Sequence, residues 1–121
     1  TMVDAKELGK LGEKLAAEEL SKKGYKLLTK NFFYDHKEVD IICEHEGQIV
    51  FVEVKTRMSP YLSDPALLVP IKKQRQIIKV ADFYLKEFFP DYEARFDIII
   101  VITNNEYTRQ EHIVDAFYPM V

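Results

Sequence analysis

The chain has 121 residues, 47 % of them hydrophobic and 31 % charged, which suits one globular domain over residues 1–121 rather than a disordered chain. One cysteine excludes a disulfide framework and a Cys-rich zinc site, and predicts a reducing, cytoplasmic setting. A net charge of −3 argues against a basic nucleic-acid coat, though not against an enzyme that grips nucleic acid through one local basic patch.

Ala5 to Lys23 predicts a helix: Leu8, Leu11, Leu15, Ala16 and Leu20 form one stripe, Gly24 closes it, and Lys6, Lys10 and Lys14 run down the solvated side. Tyr25 to Tyr34 is a weaker strand. Val39 to Glu44 and Ile49 to Arg57 read as two strands around the tight turn His45-Glu46-Gly47-Gln48. Periodicity fails from Met58 to Val69, where Pro60 and Pro65 predict an irregular connection, and Tyr61 there either covers core or stacks on a base. Pro70 suits the first turn of a second helix with inward positions Ile71, Gln74, Ile77, Ile78, Ala81, Tyr84, Leu85 and Phe88, and Pro90 stops it. Phe96 to Ile102 is apolar on both faces, and its longest run is too short to cross a bilayer, so no membrane partner is expected. His112 to Phe117 reads as a final edge strand. The order α-β-β-β-α-β-β predicts an α/β fold with a central mixed sheet flanked by helices.

One hairpin carries the chemistry. In the strand ending at Arg57, Val50, Val52 and Val54 share one face, while Ile49, Phe51, Glu53, Lys55 and Arg57 share the other. Ionised groups on an inner strand are costly unless paired or bound to a metal. With Glu46-Gly47 as a two-residue turn, Ile42 faces Phe51, Ile41 faces Val52, Asp40 faces Glu53 and Glu38 faces Lys55. Two opposed carboxylates repel until a hard cation sits between them, so the register predicts Mg²⁺ or Mn²⁺ on Asp40 and Glu53. Lys55 beside them suits a phosphodiester-cleaving site. The competing reading is a plain charge ladder, with Glu38–Lys55 and Glu53–Arg57 as ordinary salt bridges.

Lys72, Lys73 and Arg75 crowd the start of the second helix, against its dipole. They read either as a solvated turn or, with Arg57, as a grip on backbone phosphates. Gln74 is either a hydrogen-bonding group at the site or a partly exposed polar residue. Asp97 is expected to pair with Arg95 or cap a backbone group rather than ligate a metal. His36, His45 and His112 show no metal-ligand spacing and read as surface residues; Cys43 reads as a small core residue.

The pattern E-V-D (Glu38 to Asp40) followed by F-V-E-V-K-T-R (Phe51 to Arg57) resembles the PD-(D/E)xK nuclease superfamily. The opening G-K-L-G-E-K-L-A-A (Gly9 to Ala17), followed by G-Y-K-L-L and N-F, is similar to the YraN-type group of small bacterial proteins, related by fold to the archaeal Holliday-junction resolvases. The resemblance runs from Gly9 to about Ile102, although the group's usual G-E-(I/V)-D begins here with Lys37. It implies a restriction-endonuclease-like fold and a catalytic set of Glu13, Asp40, Glu53 and Lys55. Asp40 and Glu53 would be the metal ligands and Glu13 an auxiliary ligand. Independently of the resemblance, Glu38 and Gln74 are auxiliary candidates. Read from periodicity alone, Glu13 only borders the apolar stripe and would be exposed. The expected function is a Mg²⁺-dependent endonuclease acting on DNA, with branched or structured DNA as candidate substrates. The alternatives are a non-catalytic nucleic-acid-binding or scaffold protein of the same fold and, third, a plain α/β interaction module. A homodimer is left open.

Overall fold

The computed structural model describes residues 4–59 and 68–119. Pro60, Tyr61 and Pro65 lie outside the described residues. The elements are α1 (Ala5–Lys22), β1 (Lys26–Tyr34), β2 (Lys37–His45), β3 (Gln48–Arg57), α2 (Ile71–Phe88), β4 (Glu93–Thr103) and β5 (Thr108–Phe117), in the order the sequence predicts. The strands form one mixed sheet ordered β1-β2-β3-β4-β5. Only β3 and β4 run parallel, and α2 makes the crossover that a parallel pair requires. β3 is therefore the central strand.

Two tight turns set the registers. Asp35-His36 and Glu46-Gly47 all adopt positive φ (50°, 61°, 50° and 80°), the two-residue turn geometry that matches strand twist. From Glu46-Gly47 the β2–β3 ladder follows: His45 opposite Gln48, Ile42 opposite Phe51, Ile41 opposite Val52.

Each face of the sheet is covered by one helix. Ala16, Ala17 and Leu20 of α1 pack on Ile41, Cys43, Val50, Val52, Ile99 and Val101. Ile77, Val80, Ala81 and Tyr84 of α2 pack on Phe51, Phe96, Ile98 and Ile100. Both helices are rotated from the sequence reading. Leu11 is exposed, and the buried line of α1 is Gly12, Ala16, Ala17 and Leu20, because small residues let the helix lie close to the valine face of β3. In α2, Ile71 and Phe88 are exposed at the helix ends and Val80, absent from the expected stripe, is fully buried. Pro70 precedes the helix, its carbonyl accepting the first helical hydrogen bond from Gln74. No helix among the described residues is long and apolar enough to cross a membrane.

Away from the acidic hairpin, β4 carries a buried polar network. Arg95 donates two hydrogen bonds to Asp97 (2.9 and 2.8 Å) and one to the Tyr25 hydroxyl (2.7 Å). His112 lies 2.7 Å from the same Asp97 carboxylate, and the Asp115 amide donates to it at 3.0 Å. His45 stacks on Tyr25 at 3.8 Å and its ring nitrogen meets Arg95. Pairing of Asp97 with Arg95 is as expected. His45 and His112 are not surface residues, however: the stack and the carboxylate draw them into the fold. Only His36 is exposed.

Candidate metal and phosphodiester site

The β2–β3 ladder stops at Ile41–Val52 instead of continuing to Asp40–Glu53. The cause is Asp40 itself, whose carboxylate accepts the Val54 amide at 2.8 Å in place of a main-chain partner. β2 leaves β3 there, and the Asp40 carboxyl group lies against that of Glu53, which acts on it directly. Burial is the largest influence pushing the Asp40 carboxyl up to about 8, followed by the hydrogen bond and charge of Glu53; the Val54 amide and Lys73 pull the other way. Glu53 is 4 % exposed on an inner strand, and the Lys55 ammonium lies 3.8 Å from its carboxylate.

Past Asp40 the expected ladder fails. Glu38 does not face Lys55; its carboxylate accepts the Asn31 amide at 3.1 Å, while Lys55 serves Glu53. Arg57 is exposed and donates to the Thr56 carbonyl rather than to Glu53. Neither salt bridge of the charge-ladder reading forms.

Glu13 approaches from α1. It is half-buried, not exposed, and accepts a 2.6 Å hydrogen bond from Asn31. Burial raises its pKa, the Asn31 hydrogen bond lowers it, and the nearby charges of Asp40 and Glu38 raise it further, with a net upward shift. Its neighbour Gly12 explains the approach: a Cβ there would collide with Thr56 Oγ1, so only glycine lets α1 touch β3 at this point. Asn31 holds the left-handed region (φ 52°), which asparagine tolerates better than most residues, and its amide bridges Glu13 and Glu38.

Of Lys72, Lys73 and Arg75, only Lys73 comes near the acidic group. Its ammonium lies 3.4 Å from the Glu38 carbonyl, and its charge acts on Asp40. Lys72 and Arg75 are exposed on α2. Arg75 lines a separate depression with Ile71, Ile78 and Tyr118. Gln74 does not reach the site, because its amide is taken by the Val69 carbonyl at 2.9 Å.

The sequence profile described as "Uncharacterised protein family UPF0102" matches residues 12–101, three quarters of the chain and every carboxylate above. The chain belongs to family UPF0102. A UPF0102 protein of Flavobacterium johnsoniae is 45 % identical, the alignment covering 97 % of this chain and 98 % of that one. A UPF0102 protein of Caldanaerobacter subterraneus subsp. tengcongensis is 47 % identical over 95 % and 98 % of the two chains. The crystal structure of an XisH family protein from Nostoc punctiforme superposes with a TM-score of 0.44 at 13 % identity, over 85 % of this chain and 98 % of that one.

In this UPF0102 chain the donor set fits a hard divalent cation. Two carboxyl groups held together in a buried position, where burial and mutual charge oppose ionisation of Asp40, gain when a cation sits between them. Among the described residues no three His, Cys, Asp or Glu side chains converge on one point as a metal cage. Magnesium commonly takes only one or two carboxylates and completes its shell with water and phosphate. Asn31 and Gly12 are the site residues that periodicity does not reveal. Both stand in the motifs that carry the family resemblance, but their roles depend on contacts distant in sequence, Gly12 with Thr56 and Asn31 with Glu13.

Proposed function

We propose that this chain is a metal-dependent nuclease that hydrolyses phosphodiester bonds in DNA, with branched or otherwise structured DNA as the candidate substrate. The observation that carries the reading is the adjacent Asp40 and buried Glu53 carboxyl groups with Lys55 at 3.8 Å from Glu53 on the central strand. The likeness of Glu38 to Asp40 and Phe51 to Arg57 to the PD-(D/E)xK pattern supports it.

Asp40 and Glu53 would hold Mg²⁺ or Mn²⁺ through carboxylate oxygens. A bound cation supplies polarisation of the phosphate and acidification of water. Lys55 extends from the same strand face as Glu53, so its ammonium donates to a non-bridging phosphate oxygen, where negative charge grows in the transition state. Glu13, held by Asn31, stands beside this group and accepts a hydrogen bond from water. Lys73 offsets part of the acidic charge, which lowers the barrier to an incoming polyanion.

The test is a cleavage screen over duplex, single-stranded, flap and four-way-junction DNA, with Mg²⁺, Mn²⁺ or chelator. Nicking that requires the cation and disappears in Glu53→Gln is the expected outcome. Binding of DNA without cleavage of any substrate would favour the non-catalytic nucleic-acid-binding reading instead.

A further inference from the structure

Between α1 and β1 lies an open cleft of about 650 Å³, within the roughly 300–1,000 Å³ range of ligand-binding clefts. Its floor is Glu13, Asn31 and Glu38, so it runs directly off the carboxylates. Its rim is Lys6 and Lys10, one helical turn apart on α1, and Lys30 on β1. All three lysines are exposed, and among the described residues none of them is ion-paired. Phe33, on the same strand as Lys30, also lines the cleft. It is 64 % exposed and, among the described residues, stacks on no other ring.

We infer that this cleft binds an unpaired nucleic-acid strand, its phosphates on Lys6, Lys10 and Lys30 and one base stacked on Phe33. The inference rests on the nuclease reading for what the neighbouring site does, but not for the binding itself. Charge complementarity selects the occupant. Three ammonium groups without a salt bridge, of which Lys30 acts on Glu13, surround an acidic floor that keeps a polyanion on the rim. Glu13 and Glu38 are already engaged by Asn31, so phosphates on the rim displace no ion pair. The exposed ring selects single-stranded over duplex nucleic acid, because a base inside a duplex already stacks on its neighbours and has no free face. A purely helical phosphate-binding face would not need an aromatic side chain beside its lysines.

The experiment is fluorescence anisotropy with a labelled 12-nucleotide single strand and with the corresponding duplex, in chelator so that nothing is cleaved. Phe33→Ala should weaken single-strand binding by about 5- to 100-fold, the usual range for a lost base–aromatic stack, and leave duplex binding unchanged. The triple variant Lys6→Ala, Lys10→Ala, Lys30→Ala should reduce the salt slope for the single strand by about 2, at roughly 0.7 per phosphate contact. Lys14→Ala, on α1 outside the cleft, is the control. Single-strand affinity and salt slope unchanged in both cleft variants would overturn the proposal. So would an equal loss on duplex and single strand in Phe33→Ala. Binding that maps to the cleft without cleavage on any substrate would keep the cleft and remove the nuclease reading. Cation-dependent cleavage that both cleft variants leave intact, with unaltered binding, would do the reverse.

Discussion

Lys55→Ala should lower the rate of DNA cleavage by about 10²–10³-fold, the usual loss when one charge-stabilising donor is removed from a transition state. Metal affinity should be largely kept, because the ligating oxygens belong to Asp40 and Glu53. The geometry gives the reason for the split. Lys55 is 27 % exposed and sits 3.8 Å from Glu53, close enough to share a phosphate oxygen's neighbourhood yet without a ligating atom of its own. A thermal melt in Mn²⁺ separates chemistry from folding, since an intact protein with an intact metal site would still show the metal-dependent rise. A Lys55→Ala protein that cleaves at the wild-type rate would reduce Lys55 to a counter-charge for Glu53.

Asp97→Ala should destabilise the fold by about 3–5 kcal/mol, because it leaves the buried Arg95 guanidinium without its carboxylate. For a chain of this size that is a fall in melting temperature of about 10–20 °C. Asp97 is fully buried and Arg95 only 8 % exposed, so solvent screens little of the interaction. The same pair predicts a pH dependence. Burial works to raise the Asp97 pKa, but hydrogen bonds from His112, Arg95 and the Asp115 amide outweigh it and hold the group below its ordinary 3.8. A carboxyl whose folded pKa is depressed adds stability above its unfolded value and loses it as pH falls through the folded one. Wild type should therefore lose this part of its stability only below about pH 4. Asp97→Ala should lack that acid-side loss. A variant within 1 kcal/mol of wild type at neutral pH would contradict the account, since a broken buried pair costs about 3 kcal/mol or more.

The fold was legible where one local rule acted alone. Alternation placed Val50, Val52 and Val54 against one helix and Ile49 and Phe51 against the other, and Glu46-Gly47 set the hairpin register as far as Ile41–Val52. It failed where a side chain replaced a main-chain partner. Asp40 takes the Val54 amide, so the ladder ends, and Glu38 turns to Asn31 rather than to Lys55. No periodicity encodes such an exchange. The α1 stripe was misplaced for a related reason, because leucines outweigh glycine and alanine in any apolar pattern while close packing favours the small residues. Glu13 was accessible through family resemblance, and its half-buried position beside Asn31 follows from that rotation. His45 and His112 were missed because their partners, Tyr25, Arg95 and Asp97, lie on other strands or at their edges.

If Asp40 and Glu53 form a site for a divalent cation, paired thermal melts of wild type and Asp40→Asn, in chelator and in Mn²⁺, will show it. In chelator the raised pKa of Asp40 sets the sign. A folded pKa of about 8 against an ordinary 3.8 means that the folded protein holds more protons between those values, so wild type loses stability as pH rises from about 4 to 8. Asp40→Asn carries no such group and should be at least as stable as wild type in chelator at pH 8 or above. Mn²⁺ should then reverse the ranking, raising wild type by about 2.7 kcal/mol at 100 times the dissociation constant and leaving the variant nearly unmoved. Equal melting curves for wild type with and without millimolar Mn²⁺, together with an Asp40→Asn variant less stable than wild type in chelator, would contradict the metal site.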